Sequence, residues 1–155
     1  MNPAAPSLAE LVPPAHVLAG QRAADKTALL RLLAGLAAQA AGRDQASLAA
    51  ALVARESLGS TGIGGGLALP HARLAGLGAS MGWLVRLARP VAFDAVDGAP
   101  VDLVVMLLSP EADNAGHLAA LAAVSRRLRQ SEVAAAIRAA PDTAAMRAAL
   151  IGGGF

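Results

Sequence analysis

Between Arg55 and Arg73 the chain reads Arg-Glu-Ser-Leu-Gly-Ser-Thr-Gly-Ile-Gly-Gly-Gly-Leu-Ala-Leu-Pro-His-Ala-Arg. No other stretch constrains the fold as much. Five glycines stand close together, so no regular helix and no long strand runs through it. It ends in Pro70-His71, where proline removes a backbone donor and biases Leu69 to extended geometry. The rest of the chain has to fold around a tight, small-residue segment that delivers a histidine at its end.

The flanking sequence supplies the means. The 155 residues suit one domain with one core, residues 1–155, with ordered structure expected over about 8–150. Hydrophobic residues make up 55 %, much of it alanine, which favours helix. Residues 1–14, rich in Pro and Ala, are expected to be loosely ordered, with one helical turn around Ser7 to Leu11. His16 to Ala19 reads as a short strand. Asp25 caps a helix to about Ala41, with Leu29, Leu32, Leu33 and Leu36 on one face and Gly42 as its stop. Asp44 caps a second helix to about Ala54, with Leu48 and Leu52 facing inwards.

After the glycines, Leu67–Leu69 reads as a strand ended by Pro70, with His71 held just past it and residues 72–79 as a turn. Ser80 to Ala88 alternates: Met81, Trp83, Val85 and Leu87 share one face, Leu84 and Arg86 the other. Pro90 to Pro100 is a loop. Val101 to Leu108 is almost continuously apolar, the mark of a central strand covered on both faces. Asp113 or Asn114 caps a helix to about Arg129 whose stripe is His117, Leu121, Val124 and Leu128. Ser131 caps a helix to about Ala139, Asp142 another to Leu150, and the Gly-Gly-Gly-Phe tail frays. Helices before, between and after the strands predict a single α/β domain, a mixed sheet flanked by helices on both sides.

Composition removes several function classes. The formal charge is +2, the arginines are scattered and aromatics are 2 %, so there is no nucleic-acid footprint. Absence of cysteine removes disulfides, thiolate metal sites and cysteine catalysis. No apolar run reaches the roughly 18–20 residues of a membrane span, and no basic-then-apolar leader opens the chain. A cytoplasmic protein without direct membrane insertion is the expectation.

The glycines do not make a dinucleotide or Walker loop. They follow a helix and precede a strand, and no Gly-Lys-Ser/Thr occurs. Two readings stay open: a turn needing positive φ, or a loop offering backbone N–H groups to an anion. His71 is either a satisfied structural histidine or a nucleophile. A fixed backbone, an adjacent small-residue loop, and Arg55 or Arg73 as a matching cation favour the nucleophile. Attack on a phosphoryl group needs little beyond positioning and donors for the developing charge. His117 is either a core-edge residue or, in the first turn of its helix, a second site residue. His16 has no such context. Glu56 is a partner of Arg55 or a loop brace, and Arg126, Arg127 and Arg129 form a solvated face or a docking surface for an acidic partner. Two histidines without a third ligand make a poor metal site.

Glu56, then Ile63-Gly64 and Leu67-Ala68-Leu69-Pro70-His71-Ala72, together resemble the phosphorylation-site signature of mannitol/fructose-type IIA components of the bacterial phosphotransferase system. Arg55 to Gly64 and Phe93 to Leu103 are closer still to its nitrogen-regulatory branch, and the likeness runs from about Leu8 to Leu150. Gly65 stands where that branch has asparagine, and Ala72 where glycine is usual. The resemblance implies that His71 accepts a phosphoryl group from an HPr-type phosphocarrier protein, that His117 is the second active-site histidine, and that Arg55 steadies the phosphoryl group. Thr61, Gly64, Gly65 and Gly66 are its expected further donors. No cofactor or metal is implied, and the chain would be a phosphoryl carrier rather than a stand-alone enzyme. Expected partners are regulated proteins such as potassium transporters or sensor kinases. The alternatives are a sugar-specific component serving a IIB transporter subunit, and a binding module that is not phosphorylated.

Overall fold

The computed structural model describes residues 6–152. Ser7 and Glu10 form a capping box, each side chain accepting the other's backbone N–H. It starts helix α1 (Leu8–Leu11), and Leu11 and Val12 are buried. Residues 6–14 are therefore packed on the core, against the expectation of loose order, while residues 1–5 lie outside the described part. A 3-10 turn, Pro14–His16, leads into β1 (Val17–Gln21). Helix α2 (Lys26–Ala41) has Asp25 as cap and stops at Gly42 with φ +66°. Helix α3 (Gln45–Glu56) has Asp44 as cap.

The glycine stretch is a hairpin. Strand β2 (Gly62–Gly64) pairs antiparallel with β3 (Leu67–Ala68), and Gly64, Gly65 and Gly66 turn it at φ +95°, +66° and +80°. Backbone of that hand is open to glycine and to asparagine, which is why Gly65 fits where asparagine was expected. A Cβ on Gly62 would sit 2.7 Å from the Ala95 Cβ, so close approach fixes that glycine.

The strand breaks at Leu69-Pro70 and resumes as β4 (His71–Leu74), which corrects the expected turn at 72–79 and the placement of His71 past a strand end. Pro70 has no N–H to give the ladder, but its carbonyl accepts the Leu107 N–H at 2.9 Å and brings the chain straight back into pairing. Strand β5 (Met81–Val91) runs through Pro90, beyond the expected end at Ala88, across a register irregularity between Arg86 and Val91. Then follow β6 (Val101–Pro110), α4 (Asn114–Leu128), α5 (Ser131–Ala139) and α6 (Thr143–Ile151). Asp113 caps α4 and Asp142 caps α6. Ser131 is the first residue of α5 rather than its cap, and Gln130 stands at the cap position without a side-chain bond.

The sheet order is β1-β5-β6-β3-β2, with β4 following β3 along the same edge of β6. Strand β5 is antiparallel to β6, while β3 and β4 are parallel to it, so the sheet is mixed as expected. One face packs on α2 and α3 through Trp83, Val85, Leu87, Val104, Met106 and Leu108. The other packs on α1, α4, α5 and α6 through Leu84, Leu103, Val105 and Leu107. The β5 alternation is that read from the sequence, and β6 is covered on both faces as its continuous apolar run predicted. Arg127 does not lie on a solvated face. Its guanidinium donates to the Ala149 and Leu150 carbonyls at 2.9 and 2.8 Å, satisfying orphan acceptors at the end of α6. Gly152 closes α6 at φ +85°, and residues 153–155 of the tail lie outside the described part. Among the described residues no helix is long and apolar enough to cross a membrane.

Leu107 is fully buried on the central strand. Leu107→Ala should lower the unfolding free energy by about 2–5 kcal/mol, read as a shift of the urea midpoint at unchanged slope.

Candidate functional site

Period-two alternation along β4 decides what faces the site. Ala72 and Leu74 enter the core with α2 and α3, so His71 and Arg73 point to the opposite face. Register with β6 sets His71 against Leu107 and Arg73 against Ser109. After β6 the chain turns at once into α4, whose fourth residue is His117. The two imidazoles meet: their centroids lie 5.3 Å apart with planes inclined by 52°.

The state of His71 follows from its partners. Its Nδ1 lies 2.8 Å from the Leu69 carbonyl oxygen. A carbonyl only accepts, so Nδ1 carries the hydrogen and Nε2 the lone pair. That lone pair accepts from Arg55 Nε at 3.0 Å, while Arg55 also donates to the Gly59 carbonyl at 3.0 Å. Burial pushes the His71 pKa down. The Arg55 charge lowers it further, and the Leu69 bond and the Glu56 charge act the other way. His117 is shifted down as well, first by burial and then by His71, Arg73 and Arg55. Both rings are neutral near pH 7.

A cavity of about 570 Å³ opens over the pair. Besides Arg55, His71 and His117 it takes in Arg73, Glu111, Asn114 and the exposed Leu118. Arg73 donates to Asn114 Oδ1 at 3.0 Å, which holds it at the rim. Two guanidiniums, one unprotonated nitrogen and a second imidazole suit an incoming multiply charged anion.

Of the expected residues, the structure brings together His71, His117 and Arg55. It does not bring the glycines there. Gly65 donates its N–H to Asp97 Oδ2 at 2.9 Å, and Gly64 and Gly65 line a separate cavity with Leu128 and Arg138. The Gly66 carbonyl accepts from the Asp102 and Leu103 N–H groups. The stretch forms the hairpin, and of its amides the Gly65 N–H is taken by Asp97. Thr61 is near, lining a second cavity beside Arg55 and His71, but its N–H and hydroxyl both donate to Glu56, at 2.9 and 2.6 Å. It has no donor left for a ligand.

Glu56 is not the partner of Arg55. It is buried, bridges Lys26 at 2.8 Å and takes both Thr61 donors, which makes it the loop brace. Lys26 also sits 4.7 Å from the Phe93 ring centroid. The first residue of α2 thus fixes the last of α3, next to Arg55. Sequence reading passed over Lys26. That it is the chain's only lysine, at a helix start, was the available signal. His16 is structural: Nδ1 lies 3.0 Å from the Gly82 carbonyl and the ring stacks on Trp83 at 4.2 Å. Among the described residues no group of three metal-binding side chains occurs.

Comparison with known proteins bears on the family and the fold. Residues 10–152 match the family model described as phosphoenolpyruvate-dependent sugar phosphotransferase system, EIIA 2. A nitrogen regulatory protein of Bradyrhizobium diazoefficiens is 39 % identical over 92 % of this chain and 94 % of its own. The crystal structure of nitrogen regulatory protein IIA-Ntr from Neisseria meningitidis superposes with a TM-score of 0.88 at 33 % identity, over 92 % of this chain and 98 % of that one. IIA mannitol from Escherichia coli shares the fold alone, with a TM-score of 0.73 at 16 % identity over 88 % and 96 %.

Two outcomes follow from the site. Both histidines should titrate below the ordinary histidine value of about 6.5 in an NMR pH series. Because the folded-state pKa of both rings is depressed, the unfolded chain takes up protons first, so the stability these rings contribute is present above about pH 6.5 and declines as pH falls below it. Lys26→Met leaves Glu56 buried without its cation. It should cost about 3–5 kcal/mol in denaturant unfolding.

Proposed function

Because the chain belongs to the EIIA type 2 family of the phosphoenolpyruvate-dependent phosphotransferase system, we propose that His71 is its phosphoryl acceptor and that Arg55 and His117 hold the transferred group. The chain is a phosphocarrier protein of the nitrogen-regulatory kind, and membership implies a phosphocarrier donor and a IIB or regulatory partner. One observation carries the residue assignment: the Leu69 carbonyl fixes the hydrogen on Nδ1, leaving Nε2 as a lone pair beside a guanidinium and an open cavity.

The chemistry is an in-line displacement. The His71 Nε2 pair forms the new N–P bond as the donor's N–P bond breaks and its electrons return to the donor imidazole. Positive charge developing on the His71 ring is steadied through Nδ1–H by Leu69. Arg55, which in the free protein donates to that same lone pair, moves its hydrogen bonds to the phosphoryl oxygens. Arg73 and His117 supply the rest of the anion's environment, in place of the glycine amides expected from the sequence. The donor is of the HPr type, and potassium transporters and sensor kinases are the classes of regulated protein carried over from the resemblance.

Intact mass, after incubation with phosphoenolpyruvate, the general phosphotransferase and the carrier at neutral to mildly alkaline pH, tests the acceptor. Wild type should gain one phosphoryl group and His71→Ala none. A gain in the alanine variant would remove His71 from the role. Arg55→Ala should slow uptake by about 10²-fold, the scale for loss of one charge-stabilising donor, in quenched-flow mass measurements.

A further inference from the structure

Ser109 is wholly buried on β6, directly beneath the first turn of α4. Its hydroxyl has two partners, His117 Nδ1 at 2.8 Å and Ser80 Oγ at 3.2 Å. Ser80 donates to Ser109, which leaves the Ser109 hydrogen for His117. An Nδ1 that accepts places the ring hydrogen on Nε2. That nitrogen is in no hydrogen bond, yet among the described residues no buried side-chain nitrogen or oxygen lacks a partner. Nε2 of His117 is therefore open to the cavity it shares with His71, Arg55 and Arg73.

We infer that Ser109 is a positioning residue, which holds His117 as the Nε2–H tautomer so that this N–H donates to the phosphoryl group on His71. The inference rests on the phosphocarrier reading of the site. The two histidines are then set in opposite states by opposite partners. A carbonyl, able only to accept, puts the His71 hydrogen on Nδ1 and leaves a nucleophile at Nε2. A hydroxyl, able to donate, does the reverse for His117. With the other tautomer, a lone pair on His117 would face the phosphoryl oxygens and repel them. The downward shift of the His117 pKa is consistent, because only a neutral ring has a tautomer to choose.

The test pairs a ring readout with a rate. Long-range ¹H–¹⁵N correlation on the labelled full chain should show the His117 hydrogen on Nε2 and the His71 hydrogen on Nδ1. Ser109→Ala should mix the His117 tautomers and slow phosphoryl uptake about 3- to 10-fold, the scale of one weakened hydrogen bond. Ser109→Thr, which keeps the hydroxyl, should restore both. Ser109→Val, which fills the space without a donor, serves if the alanine variant does not fold. A wild-type His117 hydrogen on Nδ1, or a hydroxyl-free variant with unchanged tautomer and rate, overturns the inference while leaving the carrier reading intact. Absence of uptake in wild type, from a demonstrably phosphorylated donor, overturns the carrier reading itself and the His117 role with it.

Discussion

Register between β4 and β6 is the constraint on which the site depends. Strand β6 is buried on both faces, so its partners cannot slip without moving core residues to the wrong side. A one-residue slip of β4 would put His71 and Arg73 into the core with α2 and α3 and bring Ala72 and Leu74 to the cavity. The pairing that buries Ala72 and Leu74 is the one that aims His71. The same strand carries Ser109 and, after a short turn, hands the chain to α4 and His117. Packing energy and site geometry are thus one requirement, and the break at Leu69-Pro70 lets a carbonyl reach the ring it orients.

Charge is arranged with equal economy. Two neutral imidazoles stand beside two arginines, Glu111 is the one carboxylate lining their cavity, and Glu56, next to Arg55 in the chain, is taken up by Lys26 and Thr61. Removing one ion of a buried pair is costly. Here the pair holds the end of α3, the residue before which is Arg55. With two guanidiniums against the single carboxylate of Glu111, the cavity keeps a surplus of positive charge that an anion can satisfy, and Glu56 is held away from it.

Much of this was legible in the sequence. Caps at Asp25, Asp44 and Asp142, the stop at Gly42, the alternation of β5 and the apolar run of β6 depend on local rules, and the structure repeats them. The nearness of His71 and His117 is a matter of sheet order, which strand patterns do not encode. The glycine stretch misled because density of glycine signals unusual backbone, and both a hairpin turn and an anion loop need that. Asp97, which accepts the Gly65 N–H, and Arg138, which donates to the Gly65 carbonyl, are distant in sequence and decide for the hairpin. Arg127 was invisible as a helix-end partner for the same reason: the carbonyls it bonds belong to a helix packed from elsewhere in the chain.

Lys26 has a practical side. It is the only side-chain primary amine in the chain, and it is spent on the Glu56 brace. Amine-directed dyes, biotin esters and surface couplings that reach a lysine can reach no other one. A tag placed that way is attached to the support of Arg55, and any change in partner binding it reports includes its own disturbance of the site. Attachment through an engineered cysteine would avoid this, because the native chain has no thiol to compete.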